Sequence, residues 1–282
     1  MSDKLKKTLK DWLPPAILRK LKTGQGGGNY YLDWSGTWAE AQRQSTGYDT
    51  ENILKKVLAA TRNLVRGEAI YERDSVLFHN RDFPSITLSG LLWGAARNCG
   101  TLNVLDFGGS LGSTWWHLQK FFSELPSVRW NVVEQKHFVD VGRREFQNDK
   151  LFFYESIDEC LSETCPSIIL LSSVLQYIEC YEDIIIALAH SPANTFVIDR
   201  TSLSNASVTR IVVQHVPKSI YEASYPMWIF SEQELLARLQ PYWNVIGLAP
   251  SADGNAISSR GHTFAFKGML LEKHGISGNN SV

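Results

Sequence analysis

Val104-Leu105-Asp106-Phe107-Gly108-Gly109-Ser110-Leu111-Gly112 reads as an apolar strand that ends in an acid and passes into a Gly-rich turn. An open α/β sheet offers the tip of its first parallel strand to a nucleotide-like ligand in this way. Upstream, Ile53, Leu54, Val57, Leu58, Leu64 and Val65 recur at helical spacing, and Leu88 to Arg97 predicts a second helix. The break at Asn98-Cys99-Gly100 then releases the chain into the strand. Downstream, the pattern predicts helix 113–125, strand 129–134, helix 138–147, strand 151–154, helix 157–162, strand 167–171, helix 181–190, strand 195–199, helix 232–239 and strands 243–248 and 262–272. This succession predicts an α/β, Rossmann-like fold: a doubly wound, mostly parallel sheet with an antiparallel C-terminal edge and an N-terminal helical extension.

The chain divides by composition into a basic arm with a Gly-rich joint (1–28), a helical extension or lid (29–100), the sheet domain (101–275) and a flexible tail (276–282). Within the sheet domain, 201–230 reads as a long insertion overhanging the carboxyl ends of the strands, the place of a substrate loop. The arm interleaves Lys4, Lys6, Lys7, Lys10, Arg19, Lys20 and Lys22 with Leu5, Leu9, Trp12, Leu13, Ile17, Leu18 and Leu21, and breaks at Pro14-Pro15. Such a segment suits peripheral contact with an anionic membrane, or equally an arm whose leucines dock on the body of the protein. No second basic patch with aromatics points to nucleic acid.

With 282 residues, 44% of them hydrophobic, and a formal net charge of -1, the chain has the composition of an enzyme-sized globular protein. Cys99, Cys160, Cys165 and Cys180 lack metal-ligand spacing, so no metal site is expected; they read as buried free thiols of a reducing compartment. Neither a secretory leader nor a membrane span is expected, which suggests a cytoplasmic protein, with the inner membrane surface as the alternative if the arm binds it.

Gly108, Gly109 and Gly112 let the backbone turn tightly and approach a ligand, and the helix after them aims its positive end at the same place. Asp106 makes the choice of ligand sharper. A carboxylate there repels a pyrophosphate and attracts an ammonium, as in S-adenosylmethionine. Glu134 ends the next strand, where its two oxygens can take both hydroxyls of a ribose.

On these residues the core resembles class I S-adenosylmethionine-dependent methyltransferases. Gly47-Tyr48-Asp49, Tyr71-Glu72-Arg73-Asp74-Ser75-Val76-Leu77-Phe78, Leu105 to Gly112, Trp130 to His137 and Ala223-Ser224-Tyr225-Pro226 resemble, over about residues 30–270, a bacterial family of methyltransferases associated with lipopolysaccharide O-antigen or other surface-polysaccharide biosynthesis. The resemblance implies that Asp106, Phe107, Gly108, Gly109 and Gly112 line the methionine side of the cofactor, and Glu134 with Gln135 the ribose. It further implies that Glu155 and Ser156 border the adenine, and that the segment holding Ser172, Ser173 and Gln176 runs under the cofactor toward the acceptor. The first loop departs from the common GxGxG spacing, with Gly108-Gly109 followed by Gly112.

Methyl transfer to a hydroxyl needs alignment and a base. His215, inside the predicted loop, is the first candidate, His117 its rival, and Asp199 at the fifth strand tip either a base or the partner of His215. Arg200 and Arg210 suit an anionic substrate group. Tyr221, Tyr225 and Trp228 offer faces to a sugar ring, and Tyr71 with Arg73 belongs to a polar knot expected over the pocket. The function expected is O-methylation of a sugar, nucleotide-sugar or lipid-linked glycan acceptor. An NAD-dependent sugar oxidoreductase or epimerase, and a non-catalytic scaffold in a polysaccharide assembly complex, are the alternatives. The sequence says nothing of oligomeric state.

Overall fold

In a computed structural model, the residues described are 29–46, 50–73, 75–217, 220 and 222–275; the basic arm and the tail lie outside them. Along the chain come β1 (Tyr30–Asp33), α1 (Trp38–Gln44), α2 (Thr50–Val65), β2 (Tyr71–Arg73), β3 (Val76–Phe78), α3 (Ser85–Arg97), β4 (Thr101–Phe107) and α4 (Ser113–Leu118). Then follow β5 (Ser127–Val133), α5 (Lys136–Glu145), β6 (Leu151–Tyr154), α6 (Ile157–Glu163), β7 (Ile168–Ser172), α7 (Tyr181–Ala189), β8 (Thr195–Ser204), β9 (Arg210–Val216), β10 (Ala223–Ser231), α8 (Glu232–Leu239), β11 (Trp243–Ile257) and β12 (Thr263–Lys273).

The central strands lie in the order β6-β5-β4-β7-β8 and are all parallel. On the far side of β8, β12 runs antiparallel and carries β11 as the edge. The fold is thus the Rossmann-like, mostly parallel sheet with an antiparallel C-terminal edge. Its strands read as near-continuous apolar runs because both faces are covered. Val104, Trp130, Val132, Ile168, Leu170 and Val197 face Leu88, Leu91 and Ala95 of α3 and Trp115 and Leu118 of α4. With opposite parity, Leu105, Val133, Ile169, Leu171, Phe196 and Ile198 face Cys160, Ile185, Leu188, Leu235 and Leu239.

Two glycines set how closely α3 approaches the sheet. A Cβ at Gly94 would lie 2.6 Å from Ile168, and one at Gly90 would lie 2.6 Å from Val197. Both neighbours are fully buried and close-packed, so neither can give way cheaply.

The segment 201–230 is not a loop. β8 runs on to Ser204, β9 and β10 pair antiparallel, and β1 adds to β9, so the sheet continues past the tip of β7. The β-branched run Ile211-Val212-Val213 and the apolar run Met227-Trp228-Ile229-Phe230 favour strands, and burial of most of their residues on both faces repays the pairing. The helix expected over 113–125 ends at Leu118 and tightens into a 3-10 turn over Gln119–Phe122. β11 extends well beyond the expected 243–248 through a register shift between Pro250 and Asn255. Of the four thiols only Cys160 is buried, and burial pushes it up to about 12; Cys99, Cys165 and Cys180 are exposed.

Gly94→Val is expected to destabilise the fold by about 1–3 kcal/mol through overpacking against Ile168. Urea unfolding measures it, and a midpoint equal to that of the unaltered protein would show that α3 does not seat on the sheet at this distance.

Candidate functional site

A cavity of about 870 Å³ opens over the carboxyl ends of the parallel strands. Asp106, Gly108, Gly109, Ser110, Ser113 and Thr114 reach it from the turn between β4 and α4, Glu134 and Gln135 from the end of β5, Ser172 and Ser173 from the end of β7, and Arg200 from β8. The N-terminal extension adds Tyr71, Glu72 and Arg73, and the β9–β10 hairpin adds Gln214 and Tyr225.

Backbone strain gathers at this cavity. Among the described residues the non-Gly positions with positive φ are Ser75, Cys99, Ser110, Ser173 and Arg200, and every one except Cys99 lines it. Such conformations cost of order 1–3 kcal/mol each and persist where the surroundings over-determine them, commonly at ligand sites.

Gly108 holds φ +72° and donates its N–H to Val133 O at 2.9 Å, folding the turn onto the neighbouring strand. Gly109 lies against Asp106: a Cβ there would stand 2.5 Å from Oδ2 of the carboxyl. Asp106 itself is buried, and its Oδ2 accepts the Trp130 indole N–H at 2.9 Å. Burial raises its pKa to about 7, with the Trp130 bond opposing and Glu134 adding to the rise. Glu134 is also raised by burial, against bonds from the backbone N–H groups of Gln135 and Ser110. Two acids therefore stand at adjacent strand tips beside a glycine turn, with no cation pairing Asp106 among its bonds.

On the opposite wall, Glu72 is buried, accepts the Ser113 hydroxyl and takes the Ser75 N–H at 3.2 Å, which ties the β2–β3 hairpin to the start of α4. Tyr71 is sandwiched between Phe78 (4.7 Å) and His117 (4.3 Å) in a stack of nearly parallel rings. His117 Nε2 lies 2.7 Å from Asp82 O. A carbonyl only accepts, so Nε2 carries the hydrogen and Nδ1 keeps the lone pair. Burial lowers the His117 pKa, and the nearby Arg73 and Lys120 lower it further against the Asp82 bond, so the ring is neutral at neutral pH.

Several expected site residues fall outside the cavity lining. His215 is exposed: on β9 the side chains alternate, so Gln214 and Val216 point to the cavity while His215 turns away against Tyr30. Asp199 is buried behind the wall, accepting Thr87 Oγ1 at 2.6 Å and the Arg200 N–H at 2.7 Å. Phe107 takes the opposite face of β4 from Asp106 and packs into the second apolar cluster. Gly112 begins α4 in a left-handed conformation, and Gln176 is buried, donating to Arg200 O at 3.1 Å. Glu155 is exposed and paired with Lys136, and Ser156 caps α6 by accepting the Glu159 N–H. Arg210 stands apart, and Trp228 stacks on Trp38 and donates to Ile178 O. Tyr221 lies outside the described residues.

Asp253, Tyr177 and Gln214 line the cavity without having been expected there. Tyr177 donates its hydroxyl to Gln214 Oε1 at 2.9 Å. Once 210–216 is read as a strand, the alternation of side chains along it puts Gln214 on the face opposite His215; no local signal marks Asp253. Among the described residues no cluster of His, Cys, Asp and Glu is arranged to hold a metal ion.

No protein-family model matches the chain, and no curated protein matches it in sequence. Solved structures similar in shape include an S-adenosylmethionine-dependent methyltransferase from Clostridium acetobutylicum ATCC 824, at 9% identity over 77% of this chain and 98% of that one, with a TM-score of 0.43. Another is the Burkholderia thailandensis 1,6-didemethyltoxoflavin-N1-methyltransferase with bound 1,6-didemethyltoxoflavin and S-adenosylhomocysteine, at 12% identity over 86% and 94% with a TM-score of 0.45. A third is a Listeria monocytogenes protein described as an S-adenosylmethionine-dependent methyltransferase, at 12% identity over 66% and 98% with a TM-score of 0.41. With TM-scores no higher than 0.45, these likenesses are too distant to carry a residue role or a substrate to this chain.

The raised pKa of Asp106 gives a pH dependence of known sign. The folded state holds this proton up to about pH 7 whereas the unfolded chain releases it near pH 3.8, so the stability it supplies is full below that pH and is lost as pH rises through about 7. Asp106→Asn is expected to remove that decline, leaving the variant more stable relative to the unaltered protein at pH 8 than at pH 4. Urea unfolding across this range tests it, and parallel pH profiles for the two proteins would contradict it.

Proposed function

We propose that this protein is a methyltransferase that uses S-adenosylmethionine to methylate an oxygen of a sugar or glycan precursor for a surface polysaccharide. The observation that carries the reading is the pair Asp106 and Glu134 at adjacent strand tips, beside the Gly108-Gly109 turn and in one cavity large enough for a nucleoside and an acceptor together. Asp106, ionising as a cation approaches, supplies the negative charge that suits the cofactor's ammonium, Glu134 the two acceptors that suit its ribose, and Gly108 and Gly109 the room for close approach. Ser172 and Ser173 border the same space.

In this reading the cofactor brings an electrophilic methyl group, and the chain's own residues align the acceptor and take its proton. His117 replaces His215 as the base, because it lines the cavity, is neutral, and has its hydrogen fixed on Nε2 so that Nδ1 is the basic atom. Tyr177 and Tyr225 offer the acceptor aromatic surface and hydroxyls, while Tyr71, its faces covered by Phe78 and His117, borders the cavity by its rim. The acceptor class, a sugar, nucleotide-sugar or lipid-linked glycan, follows the sequence resemblance, and placement in the cytoplasm follows the sequence pattern and the free thiols. Peripheral contact with the inner membrane would belong to the basic arm.

Calorimetric titration with S-adenosylmethionine, and with NAD in parallel, tests the cofactor: saturable binding of the first alone is expected, lost in Asp106→Ala. Binding of NAD alone would replace the reading with redox chemistry, and binding of neither would favour a scaffold. With an acceptor in hand, His117→Ala should lower turnover by about 10²–10⁴-fold while leaving cofactor affinity unchanged. His215→Ala should leave turnover as it is, and a large loss there with none at His117 would reverse the assignment.

A further inference from the structure

Beside the residues assigned to the cofactor and the base, the cavity wall carries a group of charges with its own geometry. Asp253, in the irregular stretch of β11, bridges two arginines from distant parts of the chain: its Oδ1 meets Arg73 Nη1 at 3.0 Å and its Oδ2 meets Arg200 Nε at 2.7 Å. All three residues line the cavity, and all three side chains are about one-fifth exposed, so they are desolvated yet reachable. Both permanent cations meet this carboxylate. The neighbouring acid, Asp199, is turned to the Thr87 hydroxyl and the Arg200 N–H behind the wall rather than into the cavity.

Each arginine is also held in place. Arg73 lies 5.8 Å from the centroids of both Tyr71 and Phe78, beside the edge of their stack, which limits where its guanidinium can move. Arg200 sits in the left-handed region, φ +55°, in the middle of a strand, a conformation costing a β-carbon residue roughly 1–2 kcal/mol. It falls where β8 has passed its last pairing with β7 and opposite the register shift of β12 between Lys267 and Met269. A merely structural ion pair needs neither the strain nor a second arginine. Two fixed guanidinium forks held a carboxylate's width apart are suited to the oxygens of a phosphoryl group, which they engage through parallel N–H donors.

We propose that Arg73 and Arg200, spaced by Asp253, form an anion subsite that receives the phosphate or diphosphate of the methyl acceptor. It rests on the methyltransferase reading for the word acceptor, and on the three side chains alone for the anion. Asp253 acts here as an internal counter-ion that keeps the forks apart when the subsite is empty and competes with the ligand when it fills.

Inorganic pyrophosphate serves as the probe, titrated by calorimetry into the full chain with and without S-adenosylhomocysteine, beside glucuronate as a carboxylate control. Saturable pyrophosphate binding is expected, weakened at least tenfold in Arg73→Gln and in Arg200→Gln, with S-adenosylhomocysteine affinity unchanged within twofold. Asp253→Asn should bind pyrophosphate several-fold more tightly, and Arg73→Lys, which keeps the charge and loses the fork, should fall between the unaltered protein and Arg73→Gln. If the strained position 200 does not tolerate glutamine, the two variants at position 73 decide alone. Absence of pyrophosphate binding, binding indifferent to Arg73, or binding of glucuronate in its place would overturn the proposal. Pyrophosphate binding that depends on Arg73, without any binding of S-adenosylhomocysteine, would keep the anion subsite and remove the methyltransferase.

Discussion

A carboxyl group buried at the tip of β4, with an indole N–H as its side-chain partner, constrains much of what surrounds it. Asp106 needs Trp130, which lies opposite Val104 on the neighbouring β5, to donate, and it needs glycine at 109 because any side chain there would collide with the carboxyl. Trp130 in turn is fully buried, and packs against Trp115 and Phe122 from the helix and turn that follow the glycines. One polar group thus ties the strand order, the shape of the turn and the seating of the next helix together. Leaving a buried carboxyl without a cation is costly to its charged form, which is why it keeps its proton to near neutrality and why a cationic ligand is the natural occupant beside it.

The cavity is assembled from two kinds of wall. The parallel strands contribute their carboxyl ends, where turns leave backbone groups and short side chains free to meet a ligand. The other wall comes from residues far away in sequence: the β2–β3 hairpin, latched to α4 through Glu72 and Ser113, and the β9–β10 extension braced by β1. The first wall is built of glycines, serines and acids together with Arg200 and His117, and the second adds Tyr71, Glu72, Arg73, Gln214 and Tyr225. Strain at Ser75, Ser110, Ser173 and Arg200 is distributed over both walls, so the cavity is held in shape by the whole fold rather than by one loop.

The helices and parallel strands of the core were legible because period and punctuation are local properties. Asn98-Cys99-Gly100, Gly108-Gly109 and the apolar runs of β4, β5 and β7 speak for themselves within a few residues of chain. Hence Asp106, Gly108, Gly109, Glu134, Gln135, Ser172 and Ser173 were named from sequence and stand together in the cavity. Where expectation failed, it did so for one physical reason. Segment 201–230 forms its β9–β10 hairpin locally, but β9 is completed by β1 from the N-terminal extension, so its strands are stabilised in part by contacts that no short window of sequence contains. Taking it for a loop promoted His215 and Trp228, whose side chains strand pairing turns elsewhere.

By itself, then, the amino-acid sequence determined the order of the central elements and the chemistry at the tips of β4, β5 and β7, since both arise from short-range pattern and backbone freedom. Only the tertiary structure decided which titratable groups share the cavity with that turn. His117 owes its neutral state and its fixed tautomer to burial and to the Asp82 carbonyl. Arg73, Arg200 and Asp253 owe their contact to a hairpin, a strained strand position and an edge strand meeting from across the chain. Burial and charge proximity are properties of packing, and packing is set by the sum of long-range contacts rather than by any residue's neighbours in sequence.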